Sequence, residues 1–165
     1  MRQYNYFWHI LFSLSDSLLM HHIETILEQR GIRVTSLRVL LLRTMLQQNC
    51  AVSLTDLEGI LKTVNKSTIF RTLTLFLQQH LVHQVEDGSG QTKYAVCEED
   101  CHCGEHDTSP IADLHTHFYC ECCKRTICMR NLTIPQMDIP MGFQIHSANF
   151  VLKGICDQCH KTNKE

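Results

Sequence analysis

Two Cys-x-x-Cys units in the C-terminal half limit the possible folds of this chain more than any other part of its sequence. The first unit runs from Cys120 to Cys123, the second from Cys156 to Cys159, and 32 residues separate them. In each unit two thiolates can bind one tetrahedral ion, and two units brought together complete a closed four-sulfur zinc site. The sequence therefore predicts a structural zinc ion bound by Cys120, Cys123, Cys156 and Cys159.

The distribution of cysteine supports a metal-binding half. All of the ten cysteines except Cys50 lie between residues 97 and 159. A disulfide framework is the first alternative, but it is typical of small secreted chains, and the front half has ordinary helical patterning without need of cross-links. The second alternative is a redox-active dithiol. Two Cys-x-x-Cys units in a sequence without a thioredoxin-like pattern favour a zinc site over a redox site. Cys122 and Cys128 are left over in this interpretation.

Charge and length indicate two small lobes. The 165 residues suffice for two modest cores. Residues 1–95 carry nine Lys/Arg against seven Asp/Glu, and residues 96–165 carry six against ten, so the two halves have net charges of +2 and −4. A mildly basic front half is compatible with nucleic acid but is a weak argument alone.

The N-terminal apolar run at residues 6–12 has two interpretations. It could be the core of a signal peptide, but it lacks a small-residue cleavage site, is followed by Asp16 and is too short to span a bilayer. We therefore interpret residues 1–17 as an N-terminal extension. Since no other segment resembles a membrane span, we expect a cytoplasmic protein.

The front half has the pattern of a winged helix-turn-helix domain over residues 18–97. Apolar periodicity and capping residues predict helices at about 16–30, from Thr35 to the Asn49 region, from Ser53 to about 61, and from Asn65 to 79. Segments 81–85 and 92–96 flank a glycine-rich turn and predict a hairpin. The polar first turn of the fourth helix is typical of a helix that enters the major groove. Any small helical domain that ends in a hairpin would share the rest of the pattern.

The back half predicts a linker and a small sheet. Residues 98–113 are acidic and irregular, and Pro110 excludes a helix there. Short strands are expected at 115–119, 126–129 and 143–152, within an α/β dimerisation domain over residues 114–165. The fold class is therefore α+β, a winged helix followed by a zinc-binding domain.

A second metal site is suggested by His115-Thr116-His117. Alternate residues of a strand share a face, so both imidazoles can bind one ion. The alternative from another functional class is a zinc-dependent enzyme with a catalytic zinc site. The chain has no HExxH motif and no deaminase-type PCxxC motif, so we expect no enzyme.

Taken in order, these motifs resemble the ferric uptake regulator family over roughly residues 18–160. The resemblance rests on segments 31–38, 66–73, 115–123 and 154–159. It implies a homodimeric repressor that binds inverted-repeat operators in double-stranded DNA when its regulatory metal site is filled. The residues expected at the DNA are Arg33, Lys66, Ser67, Thr68, Phe70 and Arg71. Phe70 replaces the tyrosine usual in the family, which keeps the ring but loses the hydroxyl.

The resemblance also bears on the effector. Ala51, Ala95 and Ala148 stand where iron-sensing members have ligands. The zinc uptake branch of the family instead implies a regulatory site of His83, Cys97, His115 and His117. A thiolate among imidazoles favours zinc over ferrous iron, while iron and haem remain alternatives. His83 could also be a surface histidine and Cys97 a small buried residue. A further soft-metal site, or substitute ligands, could come from Cys101, His102, Cys103 and His106.

Overall fold

The computed structural model describes residues 16–97, 116–129, 132, 134, 140–143 and 149–162. Of the predicted N-terminal extension only Asp16 and Ser17 are described. The predicted linker, with the cysteines and histidines at 101–106, lies outside the described residues, and so do His115 and Ala148. Among the residues described, no helix is long and apolar enough to cross a membrane.

The four helices predicted in the front half are present. They are α1 (Asp16–Gln29), α2 (Ser36–Gln48), α3 (Leu54–Ile60) and α4 (Lys66–Gln78). Side chains cap the last three: Thr35 accepts from the amide of Arg38, Ser53 and Asp56 form the predicted capping box, and Asn65 accepts from the amide of Ser67. These caps satisfy amides that have no partner inside the helix. The helices enclose one apolar core around Ile23, Leu42, Leu57, Ile69 and Phe76.

A three-stranded antiparallel sheet completes the front lobe. The predicted hairpin is formed by β2 (Val82–Glu86) and β3 (Thr92–Val96), and a two-residue strand, β1 (Val52–Ser53), pairs with β3 to give the order β1-β3-β2. β1 was not predicted, since two residues are too few for a period to be seen. Val82 and Tyr94 pack into the helical core. Strand alternation therefore turns His83, Val85, Lys93 and Ala95 to the opposite face.

The C-terminal lobe is a second three-stranded sheet. Its strands are β4 (Thr116–Cys120), β5 (Thr126–Met129) and β6 (Phe150–Gly154), in the order β5-β4-β6. β4 is antiparallel to β5 and parallel to β6. The prediction of a strand from 143 was wrong at its start, because Phe143 lies outside β6, whose first residue is Phe150. A short helix that was not predicted, α5 (Asp157–Thr162), follows the last strand.

The two lobes contact each other through their sheets. The amide of Ala51 donates to the carbonyl oxygen of Thr126 at 2.8 Å, which makes an isolated β-bridge between the lobes. Ala51, Val85 and Ala95 form a small buried cluster separate from the helical core. The free face of the front sheet therefore lies against the C-terminal sheet rather than water.

Candidate metal centres and recognition helix

The four cysteines of the paired units come together in the C-terminal lobe. The Sγ atoms of Cys120, Cys123, Cys156 and Cys159 all lie within 4.8 Å of one another, and those of Cys123 and Cys156 are 3.8 Å apart. Zn–S bonds of about 2.3 Å put the sulfurs of a tetrahedral site about 3.8 Å apart. The cluster has the ligand type, number and spacing for one zinc ion.

Hydrogen bonds shift the pKa values of these thiols. The amide of Cys156 donates to Sγ of Cys120 at 3.3 Å and, against the effect of burial, lowers the pKa of Cys120 to about 6. Nε of Arg125 donates to Sγ of Cys123 at 3.4 Å and lowers its pKa as well. The hydrogen bond with Cys156, together with burial, raises the pKa of Cys159. Four adjacent thiolates repel one another, so all four can ionise only around a cation.

A second cluster joins the two lobes. Nε2 of His83, on β2, lies 3.2 Å from Nε2 of His117, on β4, and Sγ of Cys128, on β5, lies 3.7 Å from the same His117 nitrogen. One ligand atom from each of the three lies within 4.8 Å of the others. Zn–N bonds of about 2.0–2.1 Å put two nitrogens of a tetrahedral site about 3.3–3.4 Å apart. The spacing of the two imidazoles therefore suits a shared metal ion.

Cys97 and His115 complete the set of four residues expected at this site. Cys97 is buried, and its Sγ lies 3.3 Å from Nδ1 of His83, the ring nitrogen that faces away from His117. His115 lies outside the described residues. Of the predicted set, the structure thus brings His83, Cys97 and His117 together.

Sequence reasoning missed Cys128. The register of β4 and β5 pairs it directly with His117, so both side chains share a face of the sheet. Cys128 belongs to no spaced motif in the sequence, and only strand pairing could have found it. Ala51 and Ala95, at the positions where the resemblance implies ligands in iron-sensing members, are buried in the apolar cluster of the same interface and supply no ligand.

The residues expected at DNA lie on the surface of the front lobe. Five of them occupy the first two turns of α4, and all are exposed: Lys66, Ser67, Thr68, Phe70 and Arg71. Phe70 is 51% exposed, which is unusual for a large apolar side chain. Ile69 and Leu73 on the other face are fully buried and fix the helix to the core.

Two neighbouring contacts shape this surface. Nζ of Lys66 lies 3.0 Å from Oε2 of Glu58 on α3. Arg33 is exposed in the loop before α2, and its carbonyl oxygen accepts from the guanidinium of Arg38 at 2.6 Å. The loop is therefore held in place, and the side chains of Arg33 and Arg71 point cationic groups to solvent.

Comparison with known proteins gives relatives in sequence and in fold. No family model matches the chain. The zinc uptake regulation protein of Escherichia coli K12 is 28% identical over 153 residues, 86% of this chain and 81% of the relative. The ferric uptake regulation protein of Campylobacter jejuni is 24% identical over 153 residues, 87% of this chain and 89% of the relative.

Solved structures share the fold. A zinc uptake regulator complexed with zinc and DNA superposes with a TM-score of 0.60 at 22% identity, covering 93% of this chain and 100% of the other. The ferric uptake regulator of Vibrio cholerae has a TM-score of 0.53 at 18% identity, covering 81% and 98%. The α+β fold class predicted from the sequence is confirmed.

Proposed function

We propose that this chain is a member of the ferric uptake regulator family, a transcriptional repressor that binds inverted-repeat operator DNA as a homodimer in response to zinc. The observation that carries the proposal is the cluster of His83, His117 and Cys128, because it links the winged helix to the zinc-binding lobe. A metal ion bound there fixes the orientation of α4 relative to the other lobe. We place the protein in the cytoplasm, where its operators are accessible.

The donor set favours zinc as the effector. Cys128 adds a thiolate to the two imidazoles, and Cys97 or His115 supplies the fourth ligand. Thiolate ligands suit zinc, whereas ferrous iron in open sites takes imidazole and carboxylate ligands. The relatives named above include both a zinc and a ferric uptake regulator. Iron and haem are the competing effectors.

The cluster of Cys120, Cys123, Cys156 and Cys159 has a structural role in this proposal. Four protein thiolates leave no open position at which a substrate or water could bind. The named relatives are regulators, and we assign no catalytic activity to this chain. The zinc instead ties the β4–β5 turn to α5 and stabilises the lobe that forms the dimer.

DNA contact is assigned to the exposed face of α4. Lys66 and Arg71 supply positive charge, and Thr68 and Phe70 offer methyl and ring contacts suited to thymine. Arg33, in the loop before α2, contacts the phosphate backbone. A two-fold dimer presents two such helices, so each operator contains two inverted half-sites.

Replacing Arg71 by alanine will weaken operator binding by about 1–3 kcal/mol if the guanidinium reads a base, with relaxed preference at one position of each half-site. Fluorescence anisotropy at fixed salt measures the affinity. Lys161→Ala is the matched control, since Lys161 is an exposed cation on α5, far along the chain from α4. Unchanged operator affinity of Arg71→Ala would remove Arg71 from the interface.

Selection of bound fragments from random DNA tests the function itself. With zinc present, the purified protein is expected to enrich an inverted repeat, and with a zinc chelator it is expected to enrich none. Parallel selections with ferrous iron and with haem identify the effector. Enrichment of the same repeat in the chelator sample would contradict metal-dependent repression.

A further inference from the structure

A buried polar cluster joins the two lobes beside the second metal cluster. Asp87 closes the hairpin after β2, Lys93 lies on β3, and Thr126 begins β5 in the other lobe. The three residues are 1%, 7% and 0% exposed. Burial of an ion pair costs desolvation free energy, so a buried pair needs complete hydrogen bonding to persist.

The hydrogen bonding of the cluster is complete. Nζ of Lys93 donates to Oδ2 of Asp87 at 2.8 Å, to Oγ1 of Thr126 at 2.9 Å and to the carbonyl oxygen of Lys124 at 2.8 Å. An ammonium group has three protons, and each has an acceptor. The hydroxyl of Thr126 donates in turn to Asp87, and the amide of Ser89 donates to Oδ1 of Asp87 at 2.8 Å.

Asp87 is ionised in this environment. Burial alone would raise its pKa, but hydrogen bonds from Lys93, Ser89 and Thr126 hold it well below the usual range for a carboxyl group. The lobes are thus joined by hydrogen bonds from Lys93 to Thr126 and Lys124 and from Thr126 to Asp87, as well as by the bridge between Ala51 and Thr126. Every bond in this junction is made by protein atoms, so it needs no metal.

The junction and the metal cluster share the same two sheet faces. On β2 and β3, His83 pairs with Ala95, and two residues along each strand Val85 pairs with Lys93. In the other lobe, the pair of Tyr119 and Thr126 lies two positions along the strands from the pair of His117 and Cys128. At about 3.3 Å per residue, two residues span roughly 6.6 Å.

We propose that Asp87, Lys93 and Thr126 form a metal-independent lock between the lobes, which holds His83 opposite His117 and thereby sets the affinity of the regulatory site for its metal. The inference rests on the proposed function, since it concerns the same site. The three residues are positioning residues. They hold the ligands in place and bind no metal themselves.

The lock acts through the population of the closed state. When only a fraction of molecules has the ligands assembled, the apparent dissociation constant equals the intrinsic one divided by that fraction. A lock that joins the lobes in the absence of regulatory metal raises this fraction, although the open state still predominates until zinc binds. Without the lock, more zinc is needed to reach the same closed state, and the closed state itself is unchanged.

The test uses full-length Asp87→Asn and Thr126→Val proteins that retain the structural zinc. Zinc affinity of the second site is measured by competition with a chromophoric chelator, and operator affinity is measured across a zinc titration. We expect at least tenfold weaker zinc binding in each variant and an equal shift of the zinc midpoint for operator binding. Operator affinity at saturating zinc should equal that of the wild type.

Two conservative variants serve as controls. Thr126→Ser keeps the hydroxyl and should keep the wild-type zinc affinity. Glu86→Gln removes an exposed charge next to Asp87 and should do the same. Wild-type zinc affinity in folded Asp87→Asn and Thr126→Val would overturn the lock. A lower maximal operator affinity with an unshifted zinc midpoint would also overturn it, because that pattern indicates general damage to the fold.

Hydrogen exchange in protein that holds the structural zinc alone gives an independent measurement. The Ala51 amide should exchange more slowly in the wild type than in Asp87→Asn, because the lock raises the fraction of molecules in which the Thr126 carbonyl oxygen accepts its hydrogen bond. Equal exchange rates of that amide in the two proteins would overturn the lock. If the wild type binds two zinc ions per protomer but no DNA, the proposed function fails. The lock is still tested in that case, because the zinc affinity of the second site can be compared between the wild type and the two variants.

Discussion

Replacement of Cys120 by serine is expected to unfold the C-terminal lobe and to abolish the dimer. Its Sγ is fully buried and belongs to the cluster with Cys123, Cys156 and Cys159. Structural zinc contributes about 10–16 kcal/mol in small zinc peptides, and a whole domain is stable by only about 5–15 kcal/mol. If loss of one ligand releases the zinc, the variant therefore loses free energy comparable to the whole stability of the lobe.

Zinc content, circular dichroism and sedimentation together measure this result. Cys122→Ser is the matched control, because Cys122 lies in the same turn, is exposed and is not one of the four clustered cysteines. The control should keep its zinc, its fold and its dimer. A stable dimer of Cys120→Ser without zinc would show that the cluster has no structural role.

Substitution of the interlobe ligands is expected to abolish regulation and leave the fold intact. His117→Ala and Cys128→Ala should each keep one zinc per protomer and the dimer, yet bind operator no better with zinc than with a chelator. Turning a mostly open population into a mostly closed one needs about 5.5 kcal/mol of preferential binding. A metal site that has lost one ligand no longer provides this preferential binding free energy.

The same measurement with Cys97→Ala and His115→Ala identifies the fourth ligand, since loss of a ligand weakens zinc binding more than loss of a neighbour does. Cys50→Ala is the control, because Cys50 is a half-buried cysteine outside both clusters. If His117→Ala and Cys128→Ala retain wild-type zinc dependence, the sensing site lies elsewhere. The next candidates are Cys101, His102, Cys103 and His106.

Local features of the fold could be predicted from the sequence. The helices were predictable because their caps and apolar periods lie within a few residues of one another, as at Ser53 and Asp56. The four-cysteine cluster was predictable because each Cys-x-x-Cys unit is itself a local motif. β1 and α5 were missed because both are too short to show a period.

Features that depend on strand register could not be predicted. Cys128 enters the second cluster only because β5 pairs it with His117. Asp87 has the sequence context of an ordinary turn residue, and Lys93 that of a solvent-facing strand residue. Their hydrogen bonds to Thr126 become visible only when the two sheets meet, because Thr126 stands 33 positions after Lys93 in the sequence.

Zinc titration of one sample, with bound zinc and operator anisotropy recorded together, tests metal-controlled DNA binding directly. We predict that protein with one zinc per protomer binds operator weakly, and that affinity rises in proportion to occupancy of the second site. Ferrous iron at the same free concentration should not replace the second zinc. Full operator affinity with only one zinc per protomer would contradict the regulatory role of His83, His117 and Cys128.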